Sequence, residues 1–277
     1  MIEEPLAAWA LSEIDGIGAV GFLSLVEKFG SAANIFERSV DDLVSSETVN
    51  PNLAKKIVAP KDWDELSQKF RKTIPDGASI ISLTEKGFPS KLRNITNPPA
   101  YLYYKGDITI FEQPTLAVVG SRRPTDYGLR LTSRIVSDLA AAGVVIISGL
   151  AYGIDGAAHQ ATLEAGGRTA AVFGCGLDTI YPLGHRALAQ RIIQSGCLIS
   201  EFPKGTKPER FNFPVRNRIV AGLSDGVLVV EASQRSGALV TAGLALDQNR
   251  DVLAIPGSVD SELSLGPNGL IKQGAIA

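Results

Sequence analysis

The sequence is short of cysteine, of aromatic residues and of net charge, and each scarcity excludes a class of protein. Of 277 residues only two are cysteine, Cys175 and Cys197. That is too few for a disulfide framework, so a reducing cytoplasm is the expected compartment. Two histidines could in principle join them around zinc, but no pair has ligand spacing, so neither a metal nor any other cofactor is expected. Aromatic residues make up 6% of the chain, so the core must be built mainly from Ala, Val, Ile and Leu. No apolar run reaches about 18 residues, which excludes a membrane-spanning helix. The opening stretch MIEEPLAAWALSEIDG has acids where a secretory signal needs a positive region. A formal net charge of −2 argues against a protein that coats nucleic acid by bulk positivity.

Familiar phosphate and nucleophile motifs are missing too. There is no G-x-x-x-x-G-K-S/T, which excludes a Walker-type ATPase on motif grounds. A dinucleotide fingerprint fails in detail: the first strand is followed by one glycine and two arginines, and no acid about 20 residues on ends a second strand. G-x-S-x-G is absent; Ser148 precedes a glycine and His159 lies eleven residues later, a spacing that alone carries little.

What the chain does have is glycine, 28 residues of it, and an uneven distribution of bases. Residues 1–113 hold 12 basic and 16 acidic side chains, with 3 Arg to 9 Lys; residues 114–277 hold 15 and 13, with 12 Arg to 3 Lys. Arginine's planar fork grips phosphate in a bidentate manner, whereas lysine acts as a point charge. Drift in codon usage or surface salt bridges would explain the same counts.

Two domains are expected, joined by a connector. Residues 1–75 read as helical, from LAAWALSEI, FLSLVEKFG and SVDDLVSS. Between the first two lies Ile14-Asp15-Gly16-Ile17-Gly18, the pattern of a helix–hairpin–helix, whose glycines let backbone N–H groups approach a phosphate. The same glycines also suit an ordinary interhelical turn. Residues 76–113 look extended and punctuated by proline, and are expected to connect the domains and pack on the second.

From 114 to 277 short apolar runs alternate with helical stretches. The runs are 115–119, 144–148, 169–173, 197–200, 227–231 and 252–256; the helices are 127–142, 154–166, 185–195, 215–223 and 237–249. Strands apolar throughout are buried on both faces, and this alternation specifies a parallel sheet. The fold class is therefore α/β, a doubly wound, mostly parallel Rossmann-like sheet preceded by a small helical domain.

In such a fold ligands bind beyond the carboxyl ends of the strands. Gly120, Ser121, Arg122 and Arg123 follow the first; Gly149 and Gly153, with Asp155 and His159 beyond, follow the second. Gly174, Cys175 and Gly176 follow the third. Glu231, Ser236 and Gly237 follow the fifth, with Arg216, Asn217 and Arg218 just before it. Small-residue loops feeding helix N-termini attract anions, and the ensemble reads as a phosphate pocket with arginine walls. Simpler readings exist for individual members. His159 on an Ala-rich helix is expected to be a buried hydrogen-bonding residue rather than a base, and Asp155 to be an N-cap. Phe211, Phe213, Tyr152 and Tyr181 could stack on bases, although core packing would explain the phenylalanines.

The order and spacing of GSRRPTDYG (120–128), SGLAYGIDGAAH (148–159), GCGLDTIYP (174–182), SEFPKGTKP (200–208), FPVRNRIVAGLSDGVLVVEA (213–232), SGALVTAGLAL (236–246) and PGSVDSELSLGPNGLI (256–271) resemble the DNA-processing protein A family (DprA/Smf). Phe88-Pro89 through Pro98-Pro99 to Gly106 resembles that family's lead-in to the sheet, and the helical N-terminus resembles its SAM-like, helix–hairpin–helix-type domain. The resemblance implies a cytoplasmic, non-catalytic protein that binds single-stranded DNA as a homodimer. It would protect incoming strands in natural transformation and load the RecA recombinase onto strands covered by single-strand binding protein. By position, Gly120, Ser121, Arg122, Arg216, Asn217 and Arg218 would line the strand's path, with Gly149, Gly153, Gly174, Ser236 and Gly237 completing the pocket. Two departures stand out. Where some relatives carry a basic residue after Tyr181-Pro182, this chain has Leu183, Gly184 and His185, with Arg186 next. Many relatives also continue into a winged-helix domain, which is expected to be absent or removed here.

The alternative is an enzyme using the same pocket, such as a nucleoside monophosphate phosphoribohydrolase. It would need a carboxylate near the ribose, for which Glu231 or Asp155 could serve.

Overall fold

The computed structural model describes residues 2–277. The first quarter is helical: α1 (Glu4–Ser12), α2 (Ala19–Phe29), α3 (Ala32–Phe36), α4 (Val40–Ser45), α5 (Pro51–Val58) and α6 (Trp63–Thr73). Local chemistry sets the starts of the later four. Ser31, Ser39, Asn50 and Asp62 cap α3 to α6 through their side chains, and Ser39 with Asp42 completes a reciprocal capping box. Glu4 ties α1 both to α3 and to the connector. Its carboxylate accepts from the N–H groups of Ala32 (2.7 Å) and Ala33 (2.9 Å) at the start of α3 and from the Thr84 hydroxyl (2.6 Å).

The connector becomes part of the sheet. It supplies β1 (Ser79–Ser82), the single turn α7 (Ser90–Arg93) and β2 (Tyr101–Gly106). Then come β3 (Thr115–Val119), α8 (Asp126–Ala141), β4 (Val145–Ser148), α9 (Ile154–Glu164), β5 (Thr169–Val172), α10 (Arg186–Ser195) and β6 (Cys197–Ser200). The chain closes with α11 (Asn212–Gly222), β7 (Gly226–Val229), α12 (Gly237–Asp247), β8 (Asp251–Ala254) and α13 (Leu265–Lys272).

All eight strands form one sheet in the order β1-β2-β6-β5-β4-β3-β7-β8. Every pairing from β6 to β8 is parallel, and the edge pairings β1 to β2 and β2 to β6 are antiparallel. Alternation along each strand splits the core between the two faces. Val118, Ile146 and Leu228 pack with Val136 of α8 and Ile154 of α9. Ala117, Val119, Ile147 and Val227 pack on the other side with Ile219 of α11 and Ala242 of α12. This double winding makes the α/β, Rossmann-like expectation a finding. Successive strands run outward from β3 in one direction, and β7 returns to its other side, so the sheet has its switch point between β3 and β7. Among the described residues no helix is long and apolar enough to cross a membrane.

Candidate nucleic-acid interface

Ser121 is where the strand-end loops meet. Its N–H donates to the Glu231 carbonyl (2.7 Å), its carbonyl accepts from Ile154 N–H (3.1 Å), and its Oγ accepts from Arg123 N–H (3.1 Å). The loops after β3, β4 and β7 are thereby joined beside the switch point. Gly153 permits the junction: it has φ +78°, and a Cβ there would strike the Ser121 carbonyl.

Beside this node opens a cleft of about 700 Å³. Arg122 enters from the loop after β3, Arg216 and Asn217 from α11, and Ser236 and Gly237 from the start of α12. Gly120 and Gly149 form the floor. Three arginines and a single carboxylate, Asp155, line it, so its field is positive. The N-terminus of α12 adds its partial charge, with Ser236 Oγ capping Ala238 N–H at 3.3 Å. Asn217 Nδ2 ties α11 to that terminus through the Gly237 carbonyl (3.4 Å).

Arg216 is the deepest base, 5% exposed. Its Nη1 donates to the Val172 carbonyl at the end of β5, its Nε is buried without a partner, and Nη2 has no hydrogen bond among the described residues. Burial pushes its pKa down, with Arg122 adding to the effect and Asp155 opposing it. A buried guanidinium left this open favours an anion. Gly149 has no side chain because the Arg216 guanidinium lies against it; a Cβ would overlap both terminal nitrogens.

Phe213 gives the cleft an aromatic wall. The Arg122 guanidinium lies 5.5 Å from its ring centroid and that of Arg216 6.0 Å, both within cation–π range. Tyr181, 45% exposed, stands 5.9 Å away at 38°. Neither Phe213 nor Phe211 joins the core. Phe213 is half-buried in the cleft and Phe211 is 67% exposed, so core packing, the plainer expectation for both, does not hold.

Other expected members take different places. Arg218 is not a wall of this cleft. Two residues along a helix is about 200°, which turns it away from Arg216. It pairs with Glu201 through two bonds (2.8 and 2.6 Å), in a second cavity of about 260 Å³ between the sheet, Pro98–Tyr101 and the start of α2. Burial raises the Glu201 pKa, and Arg218 pulls against it. Arg123 is exposed on its loop outside the cleft lining, and Gly174 lies behind the Phe213 ring. The turn between α1 and α2 also lines that second cavity, through Ile17 and Gly18. One basic residue of the cleft was missed, Arg210. The density of bases over 204–218 (Lys204, Lys207, Arg210, Arg216, Arg218) was the signal for it.

The two carboxylates a hydrolytic reading would need are occupied. Glu231, 3% exposed, accepts from Thr125 N–H (2.8 Å) and the Thr125 hydroxyl (2.5 Å). Asp155 is not the N-cap of α9, which is Gly153. Its Oδ2 reaches back to accept from Gly149 N–H (3.1 Å) and Ala151 N–H (3.3 Å). Burial raises its pKa against the pull of Arg216 and the two amides. His159 is fully buried. Thr169 Oγ donates to the Ile146 carbonyl (2.6 Å), so His159 Nδ1 donates to Thr169 Oγ (2.7 Å), and burial drives its pKa down to about 3. It is a core hydrogen-bonding residue, as its helix suggested.

Comparison with known proteins gives these features a context. The sequence model of a family described as DNA recombination-mediator protein A matches residues 79–277. Protein Smf of Synechocystis is 39% identical over 280 residues, covering 99% of this chain and 70% of the relative. The X-ray structure of DNA processing protein A from Streptococcus pneumoniae superposes with a TM-score of 0.85 at 36% identity, over 100% of this chain and 95% of that one. DNA processing protein A from Helicobacter pylori, solved to show its single-stranded DNA binding mode, gives 0.67 at 32% identity, over 74% of this chain and 92% of that one.

Proposed function

The chain belongs to the DNA recombination-mediator protein A family, and from that premise we propose that its arginine cleft binds single-stranded DNA in recombination of incoming strands. The observation that carries this reading is Arg216, a buried cation with unused donors opening on a cleft that Arg122 and Arg210 also line. Phosphates satisfy such donors, and the Phe213 and Tyr181 faces suit unstacked bases, which a duplex does not offer. The H. pylori relative's single-strand binding supports the same assignment.

In this reading Arg122, Arg210, Arg216 and Asn217 contact the strand, with Ser236 and the open Gly237 letting its backbone come close, while Gly120 and Gly149 are bare to admit Ile154 and the Arg216 guanidinium. Ser121, Gly153 and Gly174 shape the loops, and Arg123 lies where a longer strand would pass. The protein acts without chemistry of its own, in the cytoplasm, as a homodimer that protects the strand and loads RecA where single-strand binding protein is bound. The helical unit is residues 1–75, and the segment 76–113 works as part of the sheet unit with 114–277.

Photo-crosslinking tests the site. A single-stranded oligonucleotide carrying iodouracil is expected to crosslink to Phe213 or Tyr181. Crosslinks confined to the α1–α2 turn would contradict the assignment.

A further inference from the structure

Leu150 is a strained residue beside the cleft. It is completely buried and has φ +59°, a left-handed conformation that side chains with a Cβ rarely adopt. Such a residue persists only where its surroundings over-determine it. Here two side chains hold its flanking peptide groups. Asp155 Oδ2 accepts the N–H before and the N–H after, from Gly149 and Ala151. His185 Nδ1 donates to the Leu150 carbonyl at 2.9 Å, which fixes the proton on that nitrogen, because a carbonyl only accepts. The His185 ring is braced in turn by Tyr152, edge to face at 5.0 Å, and by the bare Gly156.

The reversed turn has one consequence for the cleft. It places Gly149 against the Arg216 guanidinium, which also lies 6.0 Å from the Phe213 ring centroid and gives Nη1 to the Val172 carbonyl. The remaining donor edge is then directed by packing rather than by a counterion in contact, since no carboxylate oxygen lies within salt-bridge distance of Arg216 among the described residues.

We propose that His185 and Asp155 are positioning residues: by clamping Leu150 they seat Gly149 under Arg216 and hold its guanidinium toward the bound strand. The functional half rests on the single-strand reading above. His185 is the better probe, because it is half-buried and comes from a separate short turn, whereas loss of Asp155 endangers the loop's folding.

The test uses the full chain and two readouts. Hydrogen exchange of residues 148–153 without DNA is expected to accelerate about tenfold or more in His185→Ala and to return toward wild type in His185→Asn, whose amide can donate from the Nδ1 position. Unchanged exchange in His185→Ala overturns the clamp. Affinity for an oligo(dT) strand is expected to fall about three- to tenfold in His185→Ala, one hydrogen bond's worth, with partial rescue by Asn. In an Arg216→Ala background the same change should do nothing further, because His185 acts through Arg216. An additive loss would overturn the positioning role. A wild-type chain that protected the loop but bound no strand would sink the proposed function, while exchange alone still decided the clamp.

Discussion

The guanidinium of Arg122 lies 5.5 Å from the centre of the Phe213 ring, and Arg216 approaches the same ring at 6.0 Å. One aromatic side chain thus lies within cation–π range of two cations, one from the loop after β3 and one from α11. The ring packs against both arginines, and in the proposed function it also gives a base a face to stack on.

Phe213→Ala is expected to lower affinity for single strands of any sequence by roughly 1–3 kcal/mol, the value of one stacked base. Phe213→Leu should recover packing but not stacking, and so remain closer to Ala than to wild type. Equilibrium titration with a labelled oligonucleotide checks this, and recovery by Leu would make Phe213 a spacer only.

Arg122→Ala should weaken binding uniformly across sequences. The slope of log affinity against log salt should become shallower by about 0.7, the share of one phosphate on a single strand. Filter binding over a salt series measures it.

Arg218 provides the contrast. Removing it leaves Glu201 buried without its partner, so Arg218→Ala should lose about 3 kcal/mol of stability near neutral pH. The deficit should shrink as pH falls, because Glu201, whose pKa burial already raises, then takes up a proton. Denaturant titration reads the loss. The salt slope of strand binding should stay at the wild-type value; a drop matching that of Arg122→Ala would place Arg218 on the strand.

His159 predicts a pH dependence of a different kind. Its folded pKa of about 3 lies below the ordinary 6.5, so the unfolded chain binds a proton that the folded chain refuses. This contribution is complete above pH 6.5 and is lost as pH falls from 6.5 toward 3, by up to about 1.4 kcal/mol per unit. His159→Asn keeps a donor for Thr169 without a titrating ring. The difference in stability between the two proteins should therefore change across that window, and a constant offset would rule the account out.

The parallel part of the sheet was legible because its strands are almost wholly apolar and three of them, β3, β4 and β5, run into Gly120, Gly149 and Gly174 within two residues. Residues 115–119 and 197–200 are strands as read, and the rest agree to within a residue or two. β1 and β2 were less so. β1 is the edge strand and β2 stands next to it; both are only partly buried and lie between prolines, so nothing in their pattern distinguishes a strand from an extended connector. At the cleft, residue types indicated the chemistry, and helix phase decided membership. Arg216 and Arg218 look equivalent in sequence, yet one faces the cleft and the other a carboxylate on the far side of α11. Asp155 showed the same limit. An acid at a helix start reads as a cap, and only the tertiary path of the loop turns it back onto Gly149 and Ala151.

The central claim is that the cleft takes a single strand. Fluorescence anisotropy of a labelled single-stranded oligonucleotide, with the matching duplex as control and across a salt series, tests it most directly. Tight, salt-sensitive binding with a clear preference for the single strand is the predicted result. No binding, or equally weak binding of both forms, would contradict it.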